Sequence, residues 1–191
     1  MKKEILVFIF DGYADWETAY VCAELNAPTT GYVVKTIGLD KNVKTSMGGF
    51  HIVPDYSIDD YPSEFSLLIL TGGNAWSEQK NTAILPIVEY AISHKLPVGA
   101  ICDATSFMAE HGYLNAIKHT GNTLAYMRTQ APHYCGEEFF VEKQAVCDAN
   151  IITANGSATL EFANEIFKLL NIKTDKELCE WYNLHKNGFY Q

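Results

Sequence analysis

The chain has no lysine- and arginine-rich run, no apolar stretch of membrane-spanning length, no Cys-x-x-Cys pair, no internal repeat and no low-complexity segment. Acidic side chains outnumber basic ones, 23 to 14, for a formal net charge of -9. A balance of that sign repels phosphate backbones and anionic lipid, so neither nucleic acid nor a membrane surface is an expected partner. The apolar run Ile5 to Phe10 is too short for the core of a secretion signal, and Asp11, Asp15 and Glu17 stand where a small-residue cleavage site should follow. With no span either, a cytoplasmic protein is expected.

The cysteines are five, an odd number: Cys22, Cys102, Cys135, Cys147 and Cys179. Their wide spacing fits free thiols in a reducing compartment and not a disulfide framework. Free cysteine packs as a small hydrophobe, so most of them are expected in the core. The segment "TGGNAW" lacks both the Gly-x-Gly-x-x-Gly spacing and the lysine of a phosphate-binding loop, and "HYCGEE" at 133–138 has no ligand pair at zinc spacing. No cofactor and no metal are expected.

What is present is a folded composition: 191 residues, 48% hydrophobic, 13% aromatic and 19% charged. That is enough for one substantial core, and residues 1–191 are read as a single unit. "EILVFIF" is a continuous apolar run, as expected of a strand covered on both faces. "DWETAYVCAELN" carries apolar residues at helical spacing with Asp15 as its expected cap. "YVVKTIGL" is a second strand, "VKTSMGGFHIVPD" a small hairpin turning at its glycines, and "SLLIL" another buried strand. "TAILPIVEYAISH" reads as a helix with Pro86 in its first turn. Strand "PVGAI", helix "ATSFMAEHG", an irregular stretch from Tyr113 to His133, strands "FFVEKQAV" and "NIITA", helix "SATLEFANEIFKLLN" and a last helix in "DKELCEWYNLHKNGF" complete the chain. The aromatics Trp181, Tyr182, Phe189 and Tyr190 of that tail are expected to pack on the sheet.

Strands alternating with helices predict a three-layer α/β/α sandwich around a mostly parallel, doubly wound, flavodoxin-like sheet, because parallel neighbours need a crossover. Ligands of such sheets bind beyond the carboxyl ends of the strands. Asp11 to Glu17, "TGGN" at 71–74 and "CDAT" at 102–105 all fall at such ends and should converge. A cysteine between a strand and a helix lies near free N–H groups and the positive end of the helix dipole, which predicts a lowered thiol pKa at Cys102. The Asp103 N–H, joined by an N–H of Gly72-Gly73, would form an oxyanion hole there. The same turn also suits a packed core cysteine, and the turn alone does not separate the two readings.

The stretch "VGAICDATSFMAEHGYL" resembles the nucleophile elbow of the DJ-1/PfpI family, within the class I glutamine-amidotransferase-like superfamily. "FDGYADWE", "LLILTGG" and "ANIITANGSATLEFANEIFKLL" resemble its first strand-to-helix stretch, its glycine turn, and its closing strand and helix, in the expected order over most of residues 4–171. The resemblance implies that Cys102 is the reactive cysteine and that Glu17 holds a proton against its sulfur, since burial and a neighbouring thiolate both raise a carboxyl pKa. Otherwise Glu17 reads as a solvated first-turn residue.

Departures from the family pattern bear on the reaction. Protease-like members follow the cysteine with a histidine, and this chain has Asp103, which could act as acid or base, orient a water, or simply complement the helix dipole. Other members bring a histidine from the next segment; "NAIKHTGNT" aligns Asn122 there, with His119, read as a surface histidine, three residues away. No histidine is followed two residues on by glutamate, so glutamine hydrolysis is not expected. Three functions stand open. One is a cysteine-dependent enzyme acting on a small electrophile, of glyoxalase, deglycase, hydrolase or hydratase type. The second is a redox-responsive or chaperone-like stress protein whose Cys102 is oxidised without turnover. The third is a degenerate member that only binds. The resemblance also implies a homodimer.

Overall fold

The computed structural model of the chain describes residues 2–188. Its centre is a seven-stranded sheet in the order β5-β2-β1-β6-β7-β9-β8. The strands are β1 (Lys3–Phe8), β2 (Tyr32–Gly38), β5 (Tyr56–Ser57), β6 (Leu67–Leu70), β7 (Val98–Ile101), β8 (Ala145–Asp148) and β9 (Ile151–Ala154). All neighbours are parallel except β8, which runs antiparallel to β9. β6 and β7 are buried along their whole lengths, which is why they read as unbroken apolar runs. β3 (Lys44–Thr45) and β4 (His51–Ile52) form the expected hairpin, closed by the Ser46 N–H donating to the Phe50 carbonyl at 2.9 Å.

The helices are α1 (Ala19–Leu25), α2 (Leu85–Ser93), α3 (Asp103–Glu110), α4 (Leu124–Gln130), α5 (Thr159–Leu170) and α6 (Asp175–Asn187). α1 and α5 pack together, α6 lies against α5, and α2 packs on β6 and β7, giving the three-layer α/β/α sandwich expected. Gly99 on β7 makes room for α5: a β-carbon there would lie 2.9 Å from the Phe162 ring. Pro86 falls in the first turn of α2, where its missing N–H has no helical acceptor to lose.

Four local expectations change. Asp15 does not cap α1; residues Asp15–Thr18 form a 3-10 turn, and the Asp15 carboxylate instead accepts the Gly48 N–H at 2.9 Å. The irregular stretch contains α4, whose start is fixed by Thr123 accepting the Tyr126 N–H at 3.0 Å. "FFVEKQAV" is strand only from Ala145, because Glu137–Phe139 turn as a 3-10 helix. Of the tail aromatics, Trp181 packs against Phe167 of α5, ring centroids 5.0 Å apart, and so on a helix, not on the sheet. Phe189 and Tyr190 lie outside the described residues. The thiols are all free, but Cys135 and Cys179 are exposed and not core.

α6 begins with a capping box, Thr174 and Glu177 each accepting the other's backbone N–H. Thr174→Ala should therefore cost about 1 kcal/mol. In a chain of this size that lowers the melting temperature by about 2–4 °C, measurable by calorimetry.

Candidate active site

Cys102 is the residue between β7 and α3, and it holds φ 59°, ψ -128°. A side chain with a β-carbon rarely adopts that conformation, and holding it costs on the order of 1–3 kcal/mol. The surroundings impose it. The Cys102 N–H donates to the Ala154 carbonyl of β9 at 3.0 Å, and the Cys102 carbonyl accepts the Thr105 N–H at 3.0 Å and its hydroxyl at 2.6 Å. The sheet fixes one side of the turn and the helix fixes the other, and the thiol is left standing at the carboxyl edge of the sheet.

Three strand ends converge on it, as the topology requires. The 3-10 turn after β1 points alternate side chains in opposite directions: Trp16 is 49% exposed and Glu17 is 2% exposed. Glu17 Oε2 accepts the Gly72 N–H from the turn after β6 at 2.9 Å, and its carboxyl reaches the Cys102 thiol. From the segment before α4, Asn122 Nδ2 donates to Cys102 Sγ at 3.5 Å, while Asn122 Oδ1 accepts the Gly156 N–H at 3.0 Å. Asn155 Nδ2 donates to the Asn122 carbonyl at 2.9 Å and fixes that segment in turn.

Two glycines leave the space in which sulfur and carboxyl meet. A β-carbon on Gly72 would lie 2.1 Å from Glu17 Oε2 and 2.6 Å from the Cys102 β-carbon. One on Gly156 would lie 2.8 Å from Cys102 Sγ. Gly156 was not among the residues singled out from the sequence; its signal was the glycine of the "ANGS" turn at the end of β9.

The electrostatics differ from the simple helix-dipole expectation. Burial pushes the Cys102 thiol up to about 11, the charge of Glu17 adds to that, and the Asn122 amide opposes it. Burial likewise raises Glu17 to about 7, against the pull of its hydrogen bonds to Cys102 and Gly72. Desolvation thus outweighs the dipole of the two-turn helix α3. Near neutral pH the thiol keeps its proton while Glu17 is at mid-titration, and the two groups are coupled.

The other expected residues are placed as follows. Asp103 opens α3; its carboxyl is raised by burial and faces the Tyr126 hydroxyl, which burial and that contact push up to about 12. Tyr126 carried no signal of its own in the sequence. His119 is neither at the site nor on the surface. It is fully buried, with Nδ1 2.8 Å from the Ile117 carbonyl and Nε2 2.6 Å from the Tyr134 hydroxyl, so both ring nitrogens are engaged in the core. The Gly72 N–H, expected in an oxyanion hole, is committed to Glu17. His133 of "HYCGEE" is held by Glu110, and among the described residues no group of three or more His, Cys, Asp or Glu side chains could hold a metal ion.

The family model described as DJ-1/PfpI matches residues 3–169. The chain belongs to the DJ-1/PfpI family. A relative in Bacillus subtilis, named as the uncharacterized protease YoaZ, is 39% identical to this DJ-1/PfpI protein over 96% of this chain and 91% of its own. A thiJ/pfpI family protein from Bacillus anthracis superposes with a TM-score of 0.94 at 40% identity, covering 99% of this chain and 92% of that one. A DJ-1 superfamily protein from Agrobacterium tumefaciens gives 0.85 at 31% identity, over 96% and 99%. No helix among the described residues is long and apolar enough to cross a membrane.

Proposed function

We propose that this DJ-1/PfpI protein is a cysteine-dependent enzyme of hydrolase type, acting at the carbonyl or acyl carbon of a small electrophile. The observation that carries the reading is Cys102 held at φ 59° against the Glu17 carboxyl. Strain of that kind is retained where chemistry uses it. A carboxyl with a pKa of about 7 is matched to moving protons at neutral pH.

In the proposed reaction the Cys102 sulfur bonds to the substrate carbon as its S–H proton passes to Glu17. The carbonyl π pair moves onto oxygen, where the N–H groups of Gly73 and Asp103 receive it. Glu17 then returns the proton to the leaving group as the bond to that group breaks. Water then bonds to the acyl carbon as Glu17 takes its proton, the C–S bond breaks to free the acid, and Glu17 returns the proton to the Cys102 sulfur. Asn122 orients the thiol, and Asp103 with Tyr126 lies where a substrate oxygen or water can be held. The protease name of the Bacillus subtilis relative supports a hydrolytic type.

Two copies are proposed to pair, because Met47, Phe50 and Val53 in and beside the β3–β4 hairpin and Trp16 near its turn are all exposed. The test of the enzyme reading is intact-mass and peptide mapping after brief exposure to a small activated ester. An acyl adduct is expected on Cys102 and on no other cysteine, disappearing as product forms. An adduct on exposed Cys135 or Cys179 alone would end the proposal.

A further inference from the structure

Beside Cys102 lies a cavity of about 460 Å³, a volume that suits a small molecule. α3 supplies one wall with Asp103, Ser106, Phe107 and Glu110, which share a face at helical spacing. Tyr126 of α4 also lines it, and Asp103, the residue that follows Cys102, joins the cavity to the elbow. Trp76 and Phe107 also line it and pack together, ring centroids 4.4 Å apart.

The charge of this lining is one-sided. Asp103 and Glu110 are its ionisable acids, no lysine or arginine belongs to it, and burial holds His111 towards its neutral form. Basic side chains around it are engaged elsewhere: Arg128 with Glu137 at 2.6 Å and Lys80 with Glu78 at 2.7 Å. His133 engages both oxygens of Glu110, its backbone N–H donating to Oε2 at 3.0 Å and its Nδ1 lying against Oε1, and leaves the Glu110 side chain partly exposed. Asp103 Oδ1 is buried without a hydrogen-bond partner, an acceptor left wanting a donor. An anionic substrate would meet two carboxylates and no cation. A cation would meet two carboxylates beside aromatic side chains, a setting that suits ammonium and guanidinium groups.

We propose that this cavity is a subsite for a positively charged group, so that the substrate is a small electrophile bearing a protonated amine or a guanidinium. The proposal rests on the reading of Cys102 as the working nucleophile. A one-signed cleft concentrates its counter-ion at the site and accelerates encounter tenfold or more.

The test uses three thiol reagents that share one reacting group: aminoethyl, methyl and sulfonatoethyl methanethiosulfonate. Each transfers its S–R group to the thiolate, releases methanesulfinate and leaves the thiol proton to the base. Rates at Cys102, read by peptide mass mapping and divided by each reagent's rate with free 2-mercaptoethanol, should favour the cationic reagent over the methyl one by about tenfold. The anionic reagent should be slowest, and Cys179, exposed on α6, should show no such order. Glu110→Gln and Asp103→Asn should each shrink the preference. Equal normalised rates at Cys102 in the unaltered protein would overturn the cationic subsite and leave the nucleophile reading standing. Failure of Cys102 to react with any of the three would overturn both.

Discussion

Glu17→Ala should lower the pH at which Cys102 ionises, from about 11 towards the free-thiol value of about 8.5. The substitution removes the carboxylate charge that opposes a thiolate and lets water approach the sulfur, reversing the two largest causes of the upward shift. At pH 9 the thiolate fraction, and with it the rate of alkylation by iodoacetamide, should rise by tenfold or more. Glu17→Gln separates charge from shape, since its amide can still accept the Gly72 N–H. In that variant the stability profile is diagnostic. Glu17 in the folded protein has a pKa raised from 4.5 to about 7, so its stabilising contribution is whole below 4.5 and is lost as pH rises through 7. Unaltered protein should therefore weaken between those values by on the order of 3 kcal/mol relative to Glu17→Gln, read by denaturant melts across pH. A wild-type alkylation midpoint already below 8 that moves upward in both variants would reverse this assignment and make Glu17 a donor to a resting thiolate.

The second large effect belongs to a residue with no side chain. Gly72→Ala should abolish the reactivity that distinguishes Cys102 and destabilise the fold by about 3 kcal/mol, the upper end for overpacking. Glu17 Oε2, 2.1 Å from the new carbon, sits at the end of a side chain that can swing away. The Cys102 β-carbon, at 2.6 Å, cannot, because its backbone is pinned by β9 on one side and α3 on the other. The strand end or the elbow must move, and either parts sulfur from carboxyl. Thermal melting together with the alkylation profile checks both halves; a variant that melts normally and alkylates like wild type would contradict the packing described.

Much of the frame was legible because it depends on local pattern. β1, β6 and β7 are covered on both faces, so their apolar runs mark them without reference to anything distant. The elbow was legible for the same reason, as an apolar run meeting Cys102, Asp103 and a helical pattern. Glu17 was a different case: a carboxylate in a first turn reads as solvated, and only the family resemblance singled it out for the sulfur. α4 escaped notice because seven residues carry too little periodicity. Gly156, Tyr126 and the burial of His119 depend on contacts between segments far apart in the chain, as do the loss of Gly72 to Glu17 and the upward shift of the thiol. No window along the chain encodes those distances.

The backbone at Cys102 gives one more way to regard this molecule. Its φ of 59° is a conformation that glycine accepts freely and cysteine does not. A chain shaped for durability alone would place glycine at the elbow and recover the strain. Keeping a β-carbon there ties reactivity and fragility to the same atom, so improvement of either through this position comes at the other's expense.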